Sequence, residues 1–155
     1  MAVDPGKSGA IALFDECSND ISVFPFKAMT EVEIAEAVRA ALERSKDAQG
    51  NPSITAMVER VGGHVAGSDQ PGSAMFTFGR NTGFVLGCLA ALRIPTVEVV
   101  PQKWQAFAGA GTKGGRTKTE WKRHLLGLAQ NQYPGKKLTV GVADAVLILA
   151  YARSR

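Results

Sequence analysis

The alternation of apolar and polar positions along the chain predicts strands first and helices later. Short apolar runs that suit strands occur at 1–3, 10–14 and 21–26, separated by glycine-containing or polar turns. Two further strands are predicted at 54–58 and 96–100. Because neighbouring strands joined by tight turns pair antiparallel, we expect the first three to form a β-meander.

Apolar residues recur at helical spacing in the segments between and after these strands. Thr30 begins the first helix and forms a capping box with Glu33. Further helices are predicted over 73–92, 119–131 and 142–152, and the last is so apolar that it should be buried. The order β-β-β-α-β-α-β-α-α predicts an α/β fold, a mixed sheet of about five strands in which an antiparallel meander is followed by parallel strands, with helices on both faces.

Composition limits the class of protein. The 155 residues suit one domain over 1–155 with a buried core. No apolar run reaches the ~18 residues needed to span a bilayer, and the first residues lack a signal-peptide pattern. Cys17 and Cys88 are far apart in the chain and lack metal-ligand spacing, so we interpret them as reduced thiols. We therefore expect a cytoplasmic protein with no membrane partner.

The net charge of +4 conceals an uneven distribution along the chain. Residues 1–100 carry 8 Lys/Arg against 12 Asp/Glu, whereas residues 101–155 carry 10 against 2. A strongly basic half suggests a polyanionic partner, although a solvated basic surface would give the same composition.

Three acidic residues lie at the ends of apolar elements, where an unpaired charge is costly. Asp4 follows the first strand, Glu59 ends the strand at 54–58, and Asp144 lies in the first turn of the last helix. Buried carboxylates must be paired or bind a metal, and a set of them suits Mg²⁺ or Mn²⁺. Taken alone, Asp4 could be a turn residue and Asp144 a helix N-terminal charge. All three together predict a metal site.

These acidic segments resemble those of RuvC-type Holliday junction resolvases. Asp4-Pro-Gly-Lys-Ser-Gly-Ala-Ile-Ala12 is similar to their opening strand and turn, and Val58-Glu59-Arg60 to their second acidic strand end. The segment 143–150 resembles their closing acidic helix. Ser73-Ala-Met-Phe-Thr-Phe-Gly79 resembles the intervening helix of the phage RuvC-like and chloroplast resolvases. The order and spacing match along essentially the whole chain.

The resemblance implies an RNase H-like fold and a homodimer that cuts four-way junctions or other branched DNA. Its setting is a bacterial or phage-infected host cell, with an organelle as the open alternative. It also implies that Asp4, Glu59 and Asp144 are catalytic and hold two Mg²⁺ ions, for which Mn²⁺ can substitute. Two such ions activate a water and stabilise the leaving 3′ oxygen. The chain departs from the family at Gly141, where an acidic residue or His is usual. We expect water or Thr139 to fill this place, and a high Mg²⁺ requirement with stimulation by Mn²⁺.

Basic residues of the second half are candidates for contacts with DNA phosphates. Lys118, Lys122 and Arg123 are predicted to share one face, and Lys113 and Arg116 precede them. A solvated helix surface is the alternative. Lys118 resembles the basic residue that these resolvases place near the scissile phosphate, which implies a supporting catalytic role.

Two aromatic residues, Phe76 and Phe78, begin the helix predicted over 73–92. They are candidates for stacking on unpaired bases, or for packing in the core or a dimer interface. His64, in the loop after Glu59, is a further candidate neighbour of the site. The same helix carries glycines spaced by four, which allow close approach of another backbone and form a candidate interface: Gly79, Gly83 and Gly87.

Other functions fit parts of this pattern. A phosphotransferase of the actin and sugar-kinase type has a similar early Asp-x-Gly turn, but it needs two domains, for which 155 residues leave no room. A nucleic-acid-binding module of the same fold without cleavage activity is a second alternative. A related nuclease acting on ribosomal RNA precursors is a third.

Overall fold

The computed structural model describes residues 1–47, 49–60 and 72–155. The described strands form one five-stranded sheet of order β3-β2-β1-β4-β5. The meander β1-β2-β3 is antiparallel, whereas β4 and β5 run parallel to β1. This is the predicted mixed sheet. The strands are β1 (Ala2–Asp4), β2 (Ala10–Asp15), β3 (Asp20–Pro25), β4 (Ala56–Glu59) and β5 (Thr96–Val99).

Helices cover both faces of the sheet, as predicted. One buried cluster lies between the sheet and the first two helices and includes Val3, Val38 and Leu89. The other lies beneath the last three helices and includes Ala2 and Leu125. The α-helices of the described residues are α1 (Glu31–Arg44), α2 (Gly72–Ala91), α3 (Pro101–Phe107), α4 (Lys118–Gln132) and α5 (Ala143–Arg153).

The helix boundaries follow local signals in the sequence. The capping box of Thr30 with Glu33 is present at the start of α1, as predicted. Helix α3 was not predicted, because Pro101 was interpreted only as the end of a strand. Pro101 occupies the first helical turn, where its missing N–H costs nothing. The short helix that follows buries Trp104 completely.

The register between β1 and β4 positions the candidate site. Val3 lies opposite Val58, and both pack in the cluster beneath α1 and α2. Side chains alternate between the faces of a strand, so the next residues, Asp4 and Glu59, face the opposite side with Ala2. That side is covered by α3, α4 and α5. The chain thus sends two adjacent carboxylates towards the buried helix α5.

Within the described ranges, every helix is too short or too polar to cross a membrane.

Candidate active site

The turn between β1 and β2 orients Asp4. The backbone N–H of Gly6 donates to Asp4 Oδ1 over 2.9 Å, and the N–H of Gly9 donates to the Gly6 carbonyl oxygen over 2.8 Å. A β-carbon added at Gly9 would lie 2.1 Å from the Asp4 carbonyl oxygen, well inside contact distance. The turn therefore requires glycine at this position, and the Asp4 side chain is held by the backbone of its own loop.

Asp4 is a strongly perturbed carboxylate. Its side chain is buried, with 8% of the residue exposed. Burial raises the pKa of Asp4, and the negative charge of Asp144 raises it further. The Gly6 hydrogen bond and the charge of Lys122 oppose this rise but do not cancel it.

Glu59, at the end of β4, lies in the same electrostatic environment. Burial, together with the charges of Asp4 and Asp144, raises the pKa of Glu59 to about 7. The indole N–H of Trp104 donates a hydrogen bond to Glu59 Oε1 over 3.0 Å. This hydrogen bond fixes one carboxylate oxygen and partly offsets the rise.

Asp144 completes the group from the first turn of α5, where it is 6% exposed. Its Oδ2 forms an ion pair with the Lys122 ammonium, whereas its Oδ1 is buried and has no hydrogen-bond partner among the described residues. Burial alone would lower the pKa of Lys122, but the charge and hydrogen bond of Asp144, together with the charges of Asp4 and Glu59, outweigh burial and the pKa is raised. Lys122 is therefore a charged group inside a cluster of carboxylates.

The donor chemistry of this cluster suits a hard divalent cation. It offers three carboxylates, and Oδ1 of Asp144 is a buried oxygen, unpaired within the described ranges, that a cation would satisfy. Yet among the described residues no three His, Cys, Asp or Glu side chains converge closely enough to hold a metal as they stand. Binding a metal would therefore require these side chains to approach one another.

Gly141 lies in the turn before α5, not inside that helix. Gly141 and Asp144 therefore do not lie three positions apart on one regular helix, and they need not share a helix face. A β-carbon added here would lie 3.1 Å from the Ser8 carbonyl oxygen and 4.0 Å from Thr139 Oγ1. A side chain at Gly141 would press on the turn that holds Asp4. The suggestion that water or Thr139 replaces a ligand stays a prediction.

The predicted DNA-binding residues fall into two groups. The first group is exposed and lies in the loop before α4 or on that helix: Lys113, Arg116, Lys118 and Arg123. The Arg116 guanidinium donates to a backbone oxygen in the same loop over 2.8 Å. Lys122 differs from the expected shared basic face, because its ammonium points to Asp144 rather than to solvent.

The aromatic candidates also separate. Phe76 is 73% exposed, so packing in the core of this chain is excluded for it. Phe78 is partly buried, and its ring would contact a β-carbon added at Gly6 at 3.7 Å, which places it beside the Asp4 turn. His64 lies outside the described residues. Each glycine of the predicted stripe on α2 has open space around it: Gly79, Gly83 and Gly87.

Sequence reasoning missed two contacts at this site. Lys122 precedes Leu125 by three positions, and Leu125 is on the buried stripe of α4, so helical spacing already favoured an inward side chain. The second contact is the hydrogen bond from Trp104 to Glu59, which was not foreseen. A buried indole N–H needs an acceptor, which was the available signal.

Comparisons with known proteins support the fold. No family model and no curated protein matches the chain. Among solved structures, the chain is similar to Thermus thermophilus RuvC in complex with a Holliday junction substrate, with 15% sequence identity and a TM-score of 0.54. The match covers 98% of this chain and 93% of that chain. A second structure of that RuvC is 16% identical, with a TM-score of 0.51 over the same shares. The chain has the RNase H-like α/β fold of RuvC.

Proposed function

We propose that this protein is a structure-selective endonuclease that resolves four-way DNA junctions by paired, divalent-metal-dependent phosphodiester hydrolysis. One observation carries the proposal: Asp4 and Glu59 end neighbouring parallel strands in register, on the side of the sheet covered by the helix whose first turn carries the buried Asp144. A fold gains no stability from crowding three carboxylates together. Perturbed groups of this kind are typical of functional sites.

The residues have distinct roles in this proposal. The three carboxylates hold the metal, and two divalent ions, when bound, supply an activated water and stabilise the leaving 3′ oxygen. Trp104 holds one oxygen of Glu59 and leaves the other for a cation. The exposed basic residues neutralise DNA phosphates and set the position of the strand: Lys113, Arg116, Lys118 and Arg123.

A homodimer is part of the same proposal, because two symmetric cuts need two sites related by a two-fold axis. The outer face of α2 is the surface we assign to it. Phe76 is exposed there, and the glycines beside it leave room for another backbone: Gly79, Gly83 and Gly87.

The choice of a four-way junction as substrate is supported by the likeness to a RuvC whose structure holds a Holliday junction.

The test is incubation of the protein with end-labelled four-way junction, linear duplex of the same sequence and RNA–DNA hybrid. Each substrate is tested with Mg²⁺, with Mn²⁺ and with EDTA. We expect paired nicks in the junction with either metal, stronger with Mn²⁺, and none with EDTA. Binding without cutting would identify an inactive binding module instead. Cutting confined to the hybrid, or to structured RNA, would identify an RNA-processing nuclease.

A further inference from the structure

The Lys122 ammonium lies against Asp144, one of the three carboxylates proposed to hold the metal. Its Nζ pairs with Asp144 Oδ2, and the two side chains are 33% and 8% exposed. The carboxylates of Asp4 and Glu59 attract the same ammonium. Lys122 therefore balances part of the charge of all three carboxylates.

The ammonium fills this role incompletely. It reaches one oxygen of Asp144, while the other, Oδ1, is buried and accepts no hydrogen bond from residues 1–47, 49–60 or 72–155. A buried oxygen in this state carries a desolvation cost that a partner would remove. A divalent cation can bind a carboxylate oxygen that the ammonium leaves unsatisfied. Replacing the Lys122 ammonium by a divalent cation would therefore remove the desolvation cost of Asp144 Oδ1.

The charge balance of the site does not favour the Lys122 ammonium and two divalent ions being held there at the same time. The cluster brings three negative charges, and Gly141 adds none at the position before α5. Two divalent ions together with the ammonium would set five positive charges against these three. Like charges held close together in a buried site repel strongly, so the ammonium and a fully loaded metal site oppose each other.

We propose that Lys122 and a divalent cation are alternative partners of Asp144, so that the ammonium holds the metal-free site together and leaves Asp144 when the metal binds. The inference rests on the proposed function, because it takes the three carboxylates to be metal ligands. A DNA phosphate offers the released ammonium a new partner. Metal binding and DNA binding then strengthen each other, since each removes a competitor of the other.

The experiment is calorimetric titration of the full chain with Mn²⁺, without DNA. We compare wild type with Lys122→Met, which keeps an unbranched side chain and removes the charge. Lys136→Gln is the matched control, because Lys136 forms an ion pair with Asp20 elsewhere and is similarly exposed, at 35%. We expect Mn²⁺ to bind Lys122→Met ~10-fold more tightly than wild type, within the usual range of coupling between sites. The control should bind as wild type does.

A second readout follows the side chain itself. In NMR spectra of the protein with ¹³C-methylated lysines, the Lys122 signal should move on addition of Mg²⁺, whereas the Lys136 signal should stay. If Lys122→Met does not fold, Lys122→Gln replaces it. A purely structural role for Lys122 predicts the opposite sign, namely weaker metal binding when the lysine is removed.

The outcomes separate this inference from the proposed function. If Mn²⁺ binds both proteins equally, or binds the variant more weakly, and the Lys122 signal does not respond to Mg²⁺, the exchange is wrong while the nuclease proposal stands. If no metal binds either protein, both are wrong. If the variant binds more tightly but wild type cuts no junction, the exchange is supported and the nuclease proposal fails.

Discussion

Trp104 Nε1 lies 3.0 Å from Glu59 Oε1 and donates a hydrogen bond to it, although the two residues are 45 positions apart in the chain. Trp104 is completely buried in α3, and Glu59 ends β4, the strand between β1 and β5. The indole therefore supports a carboxylate whose burial beside Asp4 and Asp144 raises its pKa to about 7. Because the pKa of Glu59 differs between the folded and unfolded protein, the stability of the metal-free protein should depend on pH.

Metal-free protein should lose stability as pH rises through the range in which Glu59 ionises. Its folded pKa of about 7 lies above the ordinary 4.5, so the folded state favours the protonated form. The stability contributed by that proton is complete below about pH 4.5 and is lost by about pH 7. The cost approaches ~3 kcal/mol as an upper bound.

The measurement is urea unfolding in EDTA at pH 5 and pH 8 for wild type and Glu59→Gln. The variant keeps an oxygen that accepts the Trp104 hydrogen bond but has no proton to lose. It should therefore lose less stability between the two pH values than wild type does. Equal losses would show that Glu59 ionises freely in the folded protein. Adding Mg²⁺ at pH 8 should restore stability to wild type.

Asp4→Asn, Glu59→Gln and Asp144→Asn should each lower the rate of junction cleavage at least ~100-fold and leave junction binding largely intact. The removed charge holds metal and stabilises the transition state, whereas binding depends mainly on the basic residues. Cleavage is measured in single-turnover assays and binding by gel shift in EDTA. Asp15→Asn, at the exposed end of β2, is the control. A variant that cuts near the wild-type rate would remove that residue from the ligand set.

Gly9→Ala should unfold the protein or destabilise it by more than ~3 kcal/mol. The added methyl group would lie 2.1 Å from the Asp4 carbonyl oxygen, and backbone on both sides must shift to admit it. Gly127→Ala in α4 is the control, because no atom lies within 4 Å of the added carbon. That change should stabilise the helix by ~0.5–1 kcal/mol. Similar unfolding midpoints for the two variants would contradict the turn geometry.

Lys118→Gln should weaken junction binding and flatten its dependence on salt. Lys118 is exposed at the start of α4, and each lost phosphate contact lowers the slope of log K against log salt by ~0.9. Binding is measured between low and moderate salt in EDTA. Lys46→Gln, which removes a surface ion pair with Glu43, should leave the slope unchanged. An unchanged slope for Lys118→Gln would mean that this surface is only solvated.

Wild-type protein should scatter light as a particle of twice the 16.4 kDa chain mass, and Phe76→Asp should shift it towards the monomer. Phe76 is 73% exposed on α2, and a charge there would be costly to bury in an interface. Val32→Asp is the control, since Val32 is similarly exposed, at 66%, but lies on α1. A monomer for wild type at micromolar concentration, with and without junction, would exclude the proposed dimer.

The sequence alone determined most elements of this protein, helix α3 excepted, and the residue types of its candidate site. Strands, helices and their caps follow from local periodicity and local hydrogen bonding, so the capping box at Thr30 and the buried helix α5 were readable in advance. The acidic residues were recognisable as candidates because a carboxylate at the end of an apolar element is costly to bury unless it is paired or binds a metal: Asp4, Glu59 and Asp144.

Only the tertiary structure decided how these residues meet. The register of β1 against β4 brings Asp4 beside Glu59, and the choice of Lys122 as the inward lysine depends on a partner 22 positions away. The close approach of Gly141 to the Ser8 carbonyl oxygen joins two turns from opposite ends of the chain. Local patterns cannot specify such contacts, because their energies depend on which distant segments pack together.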